Sequence, residues 1–187
     1  AEWTLAVNLS PSQFEQHDIV DVVCSTLAQY QLSPAYLTLE LTESTALKNL
    51  KRSAEVLNAF SALGITVSID DFGTGYSNIL MLKSLPAREL KIDRVFVKDI
   101  SENSKNTKIV STIIDIAHSM NMQVVAEGIE TQEQEILLTQ MGCGVLQGFL
   151  FAKPLPAHQI HELIPTESNI KQQRIVQSLS PQQSITL

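Results

Sequence analysis

Six apolar runs with strand character alternate with helical segments along this chain, and each carries a polar residue at or near its carboxyl end. The runs cover 5–9, 37–41, 66–69, 89–92, 123–126 and 145–151, and their polar residues are Asn8, Glu40, Asp70, Lys91, Glu127 and Gln147. Strands separated by helices imply a parallel sheet of the α/β class. Val, Ile and Leu dominate while only 5% of residues are aromatic, as expected for parallel strands buried under helices. Such a sheet is either doubly wound or part of a (β/α) barrel. The strand-end polar residues are spaced 20 to 36 residues apart, and a barrel of about 250 residues has about 31 per unit. In a barrel all these ends converge on one mouth, whereas in an open sheet only the switch point is active. Polar ends on six successive strands therefore favour a TIM-like barrel, incomplete here, with about six of eight βα units.

The helical segments have their own punctuation. One spans 19–30, preceded by Ser10-Pro11-Ser12-Gln13, a cap serine, a first-turn proline and a third-position glutamine. A second spans 47–63 and stops at Gly64. A short one is expected over 78–85, ended by Pro86. Ile109, Val110, Ile113, Ile114, Ala117 and Met120 form one stripe on a helix over 107–120. Thr131-Gln132-Glu133-Gln134 reads as a capping box for a helix that stops at Gly142, and a last helix follows Pro156. These stripes are core faces, without assigned chemistry. Residues 1–165 are expected to form one domain and 166–187, rich in Ser and Gln, a polar tail.

Composition narrows the partners. The 187 residues are 44% hydrophobic and 18% charged, with a net charge of −7, and no basic stripe suits a nucleic-acid polymer. No apolar stretch approaches the roughly 18 residues of a membrane span, and no signal peptide is expected. Cys24 and Cys143 stand far apart without a C-x-x-C, as in a reducing cytoplasm. The expected location is cytoplasmic, with any membrane anchor of a longer parent lying upstream. The four histidines form no H-E-x-x-H, Gly73-Thr74-Gly75 lacks the third glycine of a dinucleotide loop, and there is no P-loop and no G-x-S-x-G.

The acids carry the chemistry. Asp70 and Asp71 end an apolar run and open a glycine loop, I-D-D-F-G-T-G-Y-S. Taken alone, the pair is either a cation site or a solvated turn. Two consecutive acids converge only where a strand gives way to a loop, because strand side chains alternate faces. Glu40, flanked by Leu39 and Leu41, is a partly buried acid and needs a partner. Glu43 lies in the following loop, where its role is to bond a neighbouring loop. Lys91 and Asp93 bracket Ile92, so both face the same side, as site residues or as an internal pair. Glu127 sits at a strand exit before Gly128, with Glu130 beyond it. Asn8 is a good hard-metal ligand but also a common turn residue, and Gln147 either contacts a substrate or packs the barrel mouth. Glu40, Asp70, Asp71 and Glu127 in one mouth carry about four negative charges, which two divalent cations would cancel. All-oxygen ligands select Mg or Mn, and two such ions suit in-line hydrolysis of a phosphodiester.

The segments V-N-L-S-P-S-Q-F, L-E-L-T-E-S, I-D-D-F-G-T-G-Y-S, L-K-I-D-R-V-F-V, V-V-A-E-G-I-E-T and Q-G-F-L-F-A-K-P-L-P occur in this order. Over roughly 5–164 the chain closely resembles the EAL family of bacterial cyclic di-GMP phosphodiesterases. The resemblance implies a TIM-like barrel that hydrolyses cyclic di-GMP to linear pGpG with two Mg or Mn ions. It implies that Asn8, Glu40 and Asp70 bind one metal, and that Asp70, Asp71 and Glu127 surround the second with Asp70 bridging. Glu127 resembles a general base and Lys91 the residue that orients the catalytic water. Glu43 resembles the anchor of the 71–77 loop, which shapes the metal site and a dimer contact, while Glu130 and Gln147 match further active-site positions and Asp93 a site-shaping one. A homodimer and upstream sensor or GGDEF-type domains are the implied partners.

The Glu-Ala-Leu tripeptide of the family, whose Glu binds a metal, does not occur here. The chain is therefore expected to be a C-terminal part of such a domain, lacking about two βα units, and weak or inactive by itself. The edges near Asn8 and Gln147 would then be raw. Gly144 stands where the family often has Asp, and Phe149 where Tyr is common. The alternative reading of the parent is a non-catalytic cyclic di-GMP receptor or docking module. Hydrolysis of another phosphodiester is the third.

Overall fold

A computed structural model describes residues 3–73, 82–102 and 104–163. The first half of the expected helix over 78–85 falls outside them, and so does the tail from 166. The strands are β1 (Leu5–Asn8), β2 (Leu37–Thr42), β3 (Thr66–Phe72), β4 (Glu89–Ile92), β5 (Gln123–Glu127) and β6 (Val145–Gln147). The described helices are α1 (Pro11–Phe14), α2 (Ile19–Gln29), α3 (Glu43–Lys48), α4 (Leu50–Ala62), α5 (Arg94–Val97), α6 (Ser104–Ser119), α7 (Gln132–Gln140) and α8 (Ala157–Leu163).

All strand pairs are parallel, and spatial order equals chain order from β1 to β6. That order contains no reversal, so among the described residues there is no switch point of the doubly wound kind. Right-handed crossovers then put the helices on one face, and the sheet curls into a half-barrel. Alternation sorts the side chains. Leu39, Leu41, Val67, Ile69, Leu90, Ile92, Val124 and Ala126 pack outward in one core with Leu57 and Phe60 of α4 and Val110, Ile113 and Ile114 of α6. The residues between them face the interior: Thr38 and Glu40, Ser68 and Asp70, Glu89 and Lys91, Val125 and Glu127.

Several boundaries differ from the sequence expectation for identifiable reasons. The helix expected over 47–63 is two helices, because the Asn49 side chain accepts from Arg52 N at 3.2 Å and caps a new start. The Ser10–Gln13 capping box opens α1, a short helix of its own, instead of opening α2. The α5 turn is unforeseen; Asp93 caps it, accepting from Val95 N at 2.6 Å. Ile109 lies off the buried α6 stripe. The last strand stops at Gln147 because Gly148 brings the chain against Ile129, with Leu150 N donating to Ile129 O at 2.9 Å. A Cβ on Gly148 would stand 2.2 Å from the Ile129 backbone N and O.

Among the described residues β1 and β6 are edges. Every residue of β1 is exposed, Leu5 at 64% and Val7 at 40%. Beside β1 lies an apolar cleft of about 920 Å³ lined by Leu5, Val7, Leu39, Phe149 and Ile160 among others. No helix among the described residues is long and apolar enough to cross a membrane.

Candidate active site

Lys91 stands at the centre of the interior. Its backbone is the third residue of β4, its side chain is directed inward by alternation, and it is 3% exposed. Lys91 Nζ lies 2.6 Å from Glu127 Oε1, 2.8 Å from Glu40 Oε1 and 3.7 Å from Asp70 Oδ1. These partners come from β5, β2 and β3. Since β3 separates β2 from β4 in the sheet, one ammonium reaches Glu40 and Glu127 together only because the sheet is curled. The sequence left Lys91 and Asp93 open as a pair; the ion pairs of Lys91 go to the three acids, and Asp93 caps α5.

Electrostatics follow from this crowding. Burial by itself would lower the pKa of Lys91, but the Glu127 and Glu40 carboxylates outweigh it and raise the pKa above its ordinary value. Burial holds the Glu127 carboxyl above its ordinary range, and Asp70 and Glu40 add to this, against the pull of Lys91. Asp71 is raised by burial first, then by its neighbours Asp70 and Asp93. One ammonium faces three carboxyl groups, so the interior holds more acid than Lys91 offsets.

The Asp70-Asp71 step is a local break in the strand. Asp71 has φ +57°, in the left-handed region that a non-glycine residue rarely adopts. The β3–β4 ladder shifts register between Ile69 and Phe72. Asp70 therefore stays on the interior face, with its Oδ1 accepting from Asp71 N at 2.9 Å, while Asp71 turns towards Asp93. The strand itself runs on to Phe72, so a bulge, not the strand end, lets consecutive acids serve one region. Gly73 follows at φ +93°, and its N–H donates to Glu43 Oε2 at 3.4 Å. Glu43 is buried at the start of α3, so it ties Gly73, just past β3, to the helix after β2.

The remaining expected residues are less gathered. Asn8 is in register with Glu40, and Gln147 with Glu127, but both are exposed on edge strands. Glu130 is exposed before α7, where its N–H donates to Gln134 Oε1 at 2.8 Å, and its carboxyl makes no ion pair with Lys91. Gln134 also donates to Val97 O and Lys98 O, which locks α7 to α5 and steadies the segment carrying Asp93. Glu89, with Ser68 and Thr38, forms a polar layer beneath the acids that strand-end reasoning did not single out. Its signal was available, since Glu89 is two residues before Lys91.

Among the described residues no three His, Cys, Asp or Glu side chains stand in an arrangement that would enclose a metal ion; the Lys91 ammonium occupies the point where the carboxylates meet. The donor chemistry nevertheless fits hard divalent cations. It is all oxygen, and its excess acid charge calls for further cations.

The EAL domain family model matches residues 1–154. This chain belongs to the EAL domain family. It is 48% identical over 160 residues to the bifunctional diguanylate cyclase/cyclic di-GMP phosphodiesterase MucR of Pseudomonas aeruginosa, covering 86% of this chain and 23% of MucR. The EAL domain described here thus spans about a quarter of that relative's length. The MucR phosphodiesterase in complex with cyclic di-GMP superposes with a TM-score of 0.81 at 48% identity, covering 84% of this chain and 64% of that one. A manganese and cyclic di-GMP complex of Klebsiella pneumoniae BlrP1 superposes with a TM-score of 0.76 at 32% identity, covering 82% of this chain and 39% of that one. The EAL fold is therefore the frame in which the Lys91 cluster sits: a TIM-like half-barrel with its acids at the carboxyl ends of the strands.

Proposed function

We propose that the interior of this half-barrel belongs to a phosphodiesterase that hydrolyses cyclic di-GMP to linear pGpG with two divalent cations, Mg or Mn. The observation that carries it is the convergence of Glu40, Asp70 and Glu127 on Lys91, with more acid than one ammonium balances. The relatives crystallised with cyclic di-GMP, one of them with manganese, support the substrate and the cation class. Asn8, Glu40, Asp70, Asp71 and Glu127 would hold the cations. Bound there, two divalent ions would activate a water and offset charge on the leaving oxygen.

The chain's own residues do the rest. Lys91 keeps a permanent positive charge inside the barrel, where it can orient the attacking water or a phosphate oxygen. Glu127, with its pKa raised mainly by burial, is suited to accept a proton from that water. Glu43 fixes the start of the loop after β3 through Gly73. Gln147, Glu130 and Asp93 shape the mouth around the substrate.

The 187-residue chain alone is expected to be slow, because Asn8 is on a solvent-exposed edge strand and the site is open on that side. A homodimer, with upstream sensor or GGDEF-type domains in a longer protein, completes the proposal; the bifunctional MucR is the supporting case. The loop expected to form the dimer contact lies mostly outside the described residues.

A substrate panel tests the reading. Cyclic di-GMP, cyclic AMP and a simple aryl phosphodiester are incubated with the protein and Mn, and products are separated by chromatography. Conversion of cyclic di-GMP alone to pGpG is expected. Equal cleavage of all three would replace the reading by a general phosphodiesterase, and binding of cyclic di-GMP without cleavage would replace it by a receptor.

A further inference from the structure

Glu89 is an interior acid that the proposed chemistry leaves unused. It opens β4 two residues before Lys91, so both side chains face the interior, and the intervening Leu90 is fully buried on the helix side. In the ladder Glu89 is opposite Ser68 of β3 and Gln123 of β5. Ser68 is fully buried, and Thr38 and Val125 are nearly so. Burial holds the Glu89 carboxyl above its ordinary range; Ser68 and Lys91 pull it down, and Glu40 and Asp70 push it up. An acid in this floor is costly to bury, and a Val or Thr would fill the same place without that cost. It makes no close ion pair with Lys91, whose partners are Glu40, Asp70 and Glu127.

Those three partners are the acids assigned to the cations. Once their negative charge is shared with divalent ions, Lys91 loses much of the attraction that keeps it in a buried place. The lysine head is a compact charge on a flexible four-carbon stem, able to change partners by rotation. Glu89, two residues before Lys91 on the same strand face and one layer deeper, is an interior acid outside the proposed ligand set, and the Lys91 charge is among those that act on its carboxyl.

We propose that Glu89 is a positioning residue that holds the Lys91 ammonium inside the barrel when Glu40, Asp70 and Glu127 are engaged by divalent cations. This rests on the two-cation reading above. Lys91 thus has two sets of acid partners at two depths, and Glu89 sets where the ammonium stands relative to the reacting phosphate.

The test uses the 187-residue chain and Mn alone, with thermal unfolding followed with and without the ion. Wild type, Glu89→Gln, Glu89→Asp, Lys91→Met and the Glu89→Gln/Lys91→Met double variant are compared. Mn is expected to raise the wild-type midpoint. Glu89→Gln is expected to match or slightly exceed wild type without Mn, since a buried acid becomes a neutral isostere, and to show less than half the wild-type Mn shift. Glu89→Asp keeps most of the shift. In the Lys91→Met background Glu89→Gln should have no further effect on the Mn shift. A Mn shift equal in wild type and Glu89→Gln overturns the proposal, as does an equal loss with Lys91 absent, which would mark a packing role. If wild type shows no Mn shift, the two-cation reading falls first and this inference with it. If wild type responds and Glu89→Gln responds identically, only this inference falls. Should Glu89→Gln fail to fold, Glu89→Thr with and without Lys91→Met takes its place in the same comparison.

Discussion

The Lys91 ammonium lies 2.6 Å from Glu127 Oε1 on the neighbouring strand and, by the curl of the sheet, also 2.8 Å from Glu40 Oε1 two strands away. This bridge joins β2 to β5 across the interior and makes Lys91 both a structural and a chemical residue. Replacing Lys91 by Met leaves buried carboxylates without their cation. Breaking a buried ion pair by removing one partner costs about 3 to 5 kcal/mol. We expect a loss of about 3 kcal/mol in unfolding free energy in EDTA, measured by urea titration. An unchanged urea midpoint would mean that the acids are neutral without Lys91.

Asp70 and Glu133 make a matched comparison. Asp70 is on the interior face within reach of Lys91, whereas Glu133 is on the first turn of α7, exposed, its pKa lowered by its own backbone N–H and Thr131. Asp70→Asn is expected to weaken Mn affinity by more than the about 10 to 100-fold that loss of an outer-shell partner costs. Glu133→Gln should leave it unchanged. Titration calorimetry with Mn reads both, and equal affinities for the two variants would remove Asp70 from the ligand set.

The raised carboxyl pKa values set a pH dependence for the metal-free protein. Glu127 and Asp71 are raised from 4.5 and 3.8, so the folded state holds their protons more tightly than the unfolded state. Their contribution is therefore full below these ordinary values and is lost as pH rises through the raised folded-state values. In EDTA, the wild-type urea midpoint relative to that of Glu127→Gln should fall as pH rises above the ordinary 4.5 of the Glu127 carboxyl. Cation binding has the opposite sense, since it needs the deprotonated acids. A wild-type midpoint that rises relative to the variant over that range would contradict the assignment.

Gly148 is fixed by contact. A Cβ there meets the Ile129 backbone at 2.2 Å, while a Cβ at Gly144 finds only Gln123 Cγ at 3.9 Å. Gly148→Ala should destabilise by about 3 kcal/mol, at the upper end of overpacking costs. Gly144→Ala should be nearly neutral. Chemical denaturation distinguishes them, and a neutral Gly148→Ala would show that the 148–150 turn can move away from β5.

How much of this was legible in the sequence follows from what kind of information each feature needs. Alternation and apolar runs identified the strands, and the positions of Glu40, Asp70, Lys91 and Glu127 at strand exits identified the acids and their lysine. The partners of Lys91 were not legible, because they come from strands on both sides of β4 and depend on curvature. Asn49 was hidden because apolar periodicity continues across it while its side chain caps a new helix. The left-handed Asp71 was hidden because aspartate permits that backbone without requiring it. Glu89 is hard to single out because it opens its strand and does not end it, although the two-residue period places it beneath Lys91.

The central claim is that these acids and Lys91 serve cation-dependent hydrolysis of cyclic di-GMP, and its most direct measurement is the appearance of pGpG from cyclic di-GMP by chromatography with Mn, with EDTA, and with Asp70→Asn. Slow but measurable pGpG is expected with Mn, and none in EDTA or with Asp70→Asn. Formation of pGpG at the same rate in EDTA or in Asp70→Asn, or its absence with Mg and Mn across the pH range, would contradict it.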